Sequence, residues 1–193
     1  LVGSELCISD RGKAWFSEQS KQPDGRPQWD AIVIDGPATG HAISLFRLPR
    51  VILSLMKVGP MASDAKEILD LLTDDRRCAF WIVTLPEELP SNECIELARI
   101  NEEELHLPLE RVIVNQCWSE LRPSIGETSV SRGISGVEET LSYVRGRIGS
   151  QEAYVGKLKG VFGEQCSFLP FLPKQPMTRK EMERLSGLLE KLI

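Results

Sequence analysis

Four short apolar runs punctuate the chain. They are Ala31-Ile32-Val33-Ile34 closed by Asp35, Cys78 to Val83 closed by Thr84, Val112-Ile113-Val114 closed by Asn115, and Cys166-Ser167-Phe168-Leu169-Pro170. Each is too short for a helix and lacks the alternation of a half-exposed strand, so each reads as a strand buried on both faces. The third strand is expected over Arg111–Asn115.

Helical spacing fills the intervals. Residues 41–60 begin helically and are expected to break at Pro49 and again at Gly59-Pro60. A helix is predicted over 63–73, with Asp64 and Glu67 as a capping pair and Ile68, Leu69 and Leu72 as its apolar face. Another starts near Ser91 and runs to about Leu105, with Cys94, Leu97 and Ala98 at helical spacing. A long one runs from Val137 to about Gly160, with a bend expected at Gly146 or Gly149. The last opens on a capping box, Thr178-Arg179-Lys180-Glu181. Gln22 to Pro27 is a turn, Gly36 to Gly40 a tight loop, and 119–135, rich in Ser, Gly and Pro, a flexible loop. Residues 1–29 resist assignment apart from that turn.

Strands alternating with helices predict an α/β fold, a parallel sheet covered by helices, within one domain over residues 1–193. In such sheets ligands gather at the C-terminal ends of the strands. Asp35, the loop after Thr84, and Asn115 fall at those ends.

Composition narrows the function. Against 28 acidic residues there are 23 Lys and Arg, a net charge of −5, which argues against a general nucleic-acid binder. Apolar residues make up 41% and charged residues 26%, the balance of an ordinary globular domain. No apolar window approaches a membrane span, and no charged start with an apolar core marks a secretory signal. The five cysteines, Cys7, Cys78, Cys94, Cys117 and Cys166, are widely spaced and form no C-x-x-C. They read as buried free thiols in a reducing cytoplasm rather than as a disulfide framework or zinc site. His106, just before Leu107-Pro108, is expected at a helix terminus, and Glu102-Glu103-Glu104 as a solvated helix face.

A buried strand ending in Asp and followed by a Gly-containing loop is what a Mg-nucleotide site requires, because the sheet edge fixes the carboxylate beside the phosphates. An Asp there also serves simply to cap the next turn, and the pattern alone leaves both readings open. The sequence contains no G-x-x-x-x-G-K-[S/T] phosphate loop: Gly12-Lys13 and Gly156-Lys157 each lack the preceding glycine and the following Ser or Thr. There is no G-x-S-x-G and no H-E-x-x-H.

The segment Asp35-Gly36-Pro37-Ala38-Thr39-Gly40-His41, with Leu48-Pro49 beyond it, resembles the second switch region of the ArsA/Get3 family, the arsenite-pump and tail-anchored-protein-targeting ATPases. The family pattern is Asp-Thr-Ala-Pro-Thr-Gly-His; here Gly-Pro-Ala stands in place of Thr-Ala-Pro. Further similarities follow in order: Val83 to Pro90 with Glu93, Val112 to Gln116, the pattern Arg147, Gln151, Tyr154, and Phe168 to Pro173. The resemblance implies a P-loop NTPase-like fold of which this chain is the C-terminal portion. It implies ATP and Mg²⁺ as cofactors. Asp35 would orient the Mg²⁺ water shell and sense the γ-phosphate, and Gly36, Pro37, Ala38, Thr39, Gly40 and His41 would form a loop that moves on hydrolysis. Asn115 would hydrogen-bond adenine, and Glu87 would lie at the nucleotide near a dimer seam.

The resemblance further implies a cytoplasmic homodimer or pseudo-dimer that couples ATP to anion transport or to handling of a partner, including a membrane protein, with no role for nucleic acid. The family's zinc cysteine pair has no counterpart beyond Cys117, and Pro49 to Phe80 is too short for the large client-binding insertion, so the compact bacterial branch is the better match. Two other readings stand beside it. One is a degenerate, non-hydrolysing interaction module that keeps the sheet without the phosphate loop. The other is a partitioning or cofactor-biosynthesis ATPase of the same superfamily.

Overall fold

The computed structural model describes residues 15–37, 39–119, 137–172 and 177–191. The fold is mixed α/β, with a three-stranded parallel sheet flanked by helices, consistent with part of a P-loop-like fold. The chain divides into two compact units, residues 1–79 with 100–108, and residues 80–99 with 109–193.

In the first unit, residues 20–28 form a tight antiparallel turn in which Lys21 pairs with Pro27 and Gly25 takes φ +85° at the tip. The expected strand at Ala31–Asp35 is not formed. The backbone there is irregular and exposed, with Ile32, Val33 and Ile34 at 40%, 94% and 63% exposure. A strand is stable only when its N–H and C=O groups find a partner, and the described sheet consists of three other strands.

Helix α1 spans Thr39–Leu55 and runs straight through Pro49, where a break was expected. Proline inside a helix removes one hydrogen bond and costs about 3 kcal/mol. Tertiary contacts offset part of that cost. Pro49 itself is buried. On either side of it, Arg47 Nε donates to Glu104 Oε2 at 2.7 Å and Arg50 Nη2 donates to the Leu105 carbonyl at 2.7 Å. Helix α2, Pro60–Thr73, starts three residues before the expected position. Its N-cap is Gly59 at φ +108° with Pro60 as the first helical residue, so Asp64 and Glu67 do not cap it. Ala62 and Ala65 are buried, with Ile68, Leu69 and Leu72 half-buried on the same face.

In the second unit, β1 (Phe80–Thr84) leads to α3 (Glu88–Ile100), β2 (Leu109–Cys117), α4 (Val137–Phe162), β3 (Cys166–Pro170) and α5 (Arg179–Leu189). The sheet order is β1-β2-β3. The row Thr84, Val114, Phe168 runs across all three strands in register. Central β2 carries the core, with Val112, Ile113 and Val114 at 2% exposure or less, joined by Ile82, Leu158 and Leu169. Helix α4 packs on β2 and β3 and is continuous through Gly146 and Gly149. The predicted capping box opens α5, where the Thr178 N–H donates to Glu181 Oε2 at 3.0 Å. The predicted loop at 119–135 lies, beyond Ser119, outside the described residues.

The helix expected to reach Leu105 changes at Ile100 into a single π-helical turn, Asn101–Leu105. His106 closes it in the left-handed conformation at φ 53°, its backbone N–H donating to the Asn101 carbonyl at 2.7 Å. Asn101 is 5% exposed, and its amide donates to the Leu107 carbonyl and accepts from the Leu107 N–H, both at 2.9 Å. Asn101→Ala deletes both bonds and leaves two buried backbone groups unsatisfied. A loss of about 2–3 kcal/mol is expected, read as a lower urea midpoint with unchanged slope.

Candidate functional site

Two of the sequence-selected residues share one edge of the sheet. Thr84, the last residue of β1, is the register partner of Val114, three residues before the end of β2, so that β2 runs on past the expected end at Asn115. Glu87 follows the first by three residues and Asn115 follows the second directly. Parallel pairing therefore places both at the edge where α/β sheets bind ligands.

The turn carrying Glu87 is tied down by its own backbone. Thr84 Oγ1 donates to the Pro90 carbonyl at 2.9 Å, the Glu87 N–H donates to the Leu85 carbonyl at 2.9 Å, and the Ser91 N–H donates to the Glu87 carbonyl at 3.0 Å. Pro86 and Ser91 are fully buried beneath it. The Glu87 carboxylate pairs with Arg147 of α4. Both side chains are nearly 40% exposed, 38% for Arg147 and 39% for Glu87, so the pair adds no more than about 1 kcal/mol of stability. Its effect is to orient Glu87.

Asn115 is half-buried. Its Oδ1 accepts the Gln116 N–H at 2.9 Å, and its Nδ2 makes no bond to another described residue. Gln116 sits at φ 58°, a left-handed conformation uncommon for a side chain of this kind. One turn beyond Arg147 on α4, buried Gln151 reaches the same strand end: its Oε1 accepts the Trp118 N–H at 2.9 Å and its Nε2 donates to the Gln116 carbonyl at 3.1 Å. Trp118 stacks on Phe171, centroids 4.5 Å apart, and the Phe171 N–H donates to the Cys117 carbonyl at 2.8 Å. The sequence marked Gln151 and the segment around Phe171 by resemblance alone; it did not show that Gln151 latches the end of β2 or that Trp118 stacks on Phe171.

Asp35, Gly36, Pro37, Gly40 and His41 belong to the first unit. Asp35 to Pro37 are exposed and not in a strand, and Gly40 and His41 are exposed in the first turn of α1. Thr39 opens that helix, and Ala38 lies outside the described residues. Among the described residues no group of three or more His, Cys, Asp or Glu side chains comes together to hold a metal ion. No helix among them is long and apolar enough to cross a membrane.

No protein-family model matches the chain. Among curated proteins, "ATPase BagA" of Mycobacterium tuberculosis is 35% identical over 91 residues, which is 47% of this chain and 26% of the relative. The "Putative arsenical pump-driving ATPase" of Halobacterium salinarum is 26% identical over 172 residues, 83% of this chain and 24% of the relative. The chain is similar to proteins named as ATPases. It spans about a quarter of the length of these curated relatives.

Cys94, Cys117 and Cys166 are buried free thiols and Cys78 is half-buried, while Cys7 lies outside the described residues. Burial pushes the Cys94 thiol up to about 12, with the Cys166 thiol adding to the shift. A group that holds its proton more tightly when folded contributes its full stability below the unfolded thiol range of about 8.5 and loses it as pH climbs towards the folded value. Urea midpoints are therefore expected to fall between about pH 8 and pH 10, where unfolded thiols ionise, and Cys94→Ala is expected to flatten part of that fall.

Proposed function

We propose that this chain is the nucleotide-facing C-terminal part of an ArsA/Get3-like ATPase, with its base-reading side at the ends of β1 and β2. The observation that carries the reading is the state of Asn115. One lone pair of Oδ1 is engaged by the Gln116 N–H. A second lone pair and the Nδ2 donor remain. One acceptor and one donor side by side complement adenine, which offers the N6 donor beside a ring-nitrogen acceptor. The matching edge of guanine offers two acceptors. Glu87, oriented by Arg147, stands at the same sheet edge and faces the nucleotide in this reading.

Asp35 is the reading's candidate for γ-phosphate sensing, and Gly36 to His41 its switch loop. One carboxylate alone is not a metal site. Positioning of the phosphates supplies most of the catalysis in such enzymes, and the sequence has no phosphate loop. Hydrolysis therefore belongs to a longer protein, where the switch would couple ATP turnover to anion transport or to a partner. The names of the longer relatives support ATP turnover, and one of them, the arsenical pump-driving ATPase of Halobacterium salinarum, supports the coupling to anion transport.

The test is a titration of the 193-residue chain with ATP and GTP, followed by ligand-observed NMR. Weak binding that favours adenine is expected, with the preference lost in Asn115→Ala by about tenfold, the worth of one such hydrogen bond. Equal binding of the two bases overturns the base-reading role. A steady-state ATPase rate that drops on Asp35→Ala overturns the view that this chain lacks turnover of its own.

A further inference from the structure

We propose that Gln151 is the positioning residue for Asn115, acting through a bulge at the end of β2. The proposal rests on the adenine reading of Asn115 for its functional meaning, though not for its geometry. Between the pairs Val114–Phe168 and Cys117–Pro170, β2 advances three residues while β3 advances two. The surplus residue falls at Asn115-Gln116. Bulges are rare between parallel strands and recur beside active sites, where they re-aim a side chain.

The direction of the re-aiming follows from strand parity. In a regular strand, residues two apart share a face, so Asn115 would fall on the face of Ile113, which is 2% exposed. An amide there would be desolvated without partners, an unfavourable state. The bulge removes that conflict, and Oδ1 meets the next backbone N–H instead. The conformation that achieves this places Gln116 at φ 58°, which a non-glycine residue adopts only when its surroundings impose it.

What imposes it is Gln151. The side chain is 4% exposed. Its carboxamide spends one acceptor on the Trp118 N–H and one donor on the Gln116 carbonyl. Those two groups flank Cys117 and bracket the exit from the bulge. The Cys117 thiol closes the same turn, donating to the Val114 carbonyl at 3.3 Å. Normal pairing then resumes through the Phe171 N–H and the Cys117 carbonyl at 2.8 Å. The helix thus reads the strand end through its backbone, and the backbone sets where the Asn115 amide stands.

The experiment uses the ¹⁵N-labelled 193-residue chain. Gln151→Met keeps the volume and deletes both bonds. Gln151→Glu keeps the acceptor for Trp118 and deletes the donor. In Gln151→Met the Asn115 side-chain amide resonances are expected to move to the positions of a free amide, and Trp118 amide exchange to quicken by about tenfold or more, with the urea midpoint showing that the chain remains folded. The preference for ATP over GTP falls to the level of Asn115→Ala, with Gln151→Glu intermediate. Adding Gln116→Gly to Gln151→Glu restores much of the Asn115 signal, because glycine holds the left-handed turn without help.

Asn115 resonances that stay in place in both Gln151 variants overturn the proposal, even if Asn115→Ala abolishes base preference. If the unaltered chain shows no base preference, the adenine reading falls, and the Asn115 resonances alone decide the positioning role. Should Gln151→Met fail to fold, Gln151→Glu with and without Gln116→Gly carries the same decision.

Discussion

Burial of β2 is the constraint from which the second unit follows. Val112, Ile113 and Val114 have no polar side-chain atom and almost no exposure, so the strand has to be paired on both edges and covered on both faces. Pairing on one side fixes β1 and on the other fixes β3, both parallel to it. Parallel pairing needs long crossovers, and α3 and α4 supply them. Helix α4 then lies against β2 and β3, which sets Arg147 and Gln151 over the ends of β1 and β2.

Where β2 stops being apolar, its surroundings change character. Asn115 and Gln116 replace aliphatic side chains, the pairing register slips by one residue, and the polar groups that this frees are met by Gln151. A buried carboxamide with both ends satisfied is a rigid support, whereas one left unsatisfied would be a liability. The ion pair of Arg147 with Glu87 differs in kind. It is half in water and adds little stability, and its worth lies in where it holds the carboxylate. The same helix therefore secures one strand end by buried hydrogen bonds and the other by an exposed charge pair.

The first unit is organised by polar contacts to a single π-helical turn. Arg47 and Arg50 reach Glu104 and the Leu105 carbonyl, and Asn101 closes on Leu107. Helix α1 carries Pro49 in its interior between these two anchors. The apolar residues Ile32, Val33 and Ile34, by contrast, remain exposed. Their composition is that of an inner strand, and the described residues give them no strand to join.

The sequence by itself determined that strands stand at Cys78–Thr84, Arg111–Asn115 and Cys166–Pro170, the fold class, and the capping box of the last helix, because short apolar runs and local caps are decided by neighbouring residues; the structure starts the first at Phe80 and lengthens the second to Leu109–Cys117. It also singled out Asn115 and the loop after Thr84, since strand ends in parallel sheets are where polar groups can stand clear of the core, and the family resemblance named Glu87 within that loop. Tertiary structure decided the rest. The fate of Ala31–Asp35 depended on whether a pairing strand was present. Helix α1 passes through Pro49 against its local propensity, with Arg47 and Arg50 beside it bound to partners more than fifty residues away. The bulge at Asn115-Gln116 depended on Gln151, which lies outside any local window. Local patterns record what a segment prefers. Register, strain and the aim of a side chain depend on contacts made after the chain has folded back on itself.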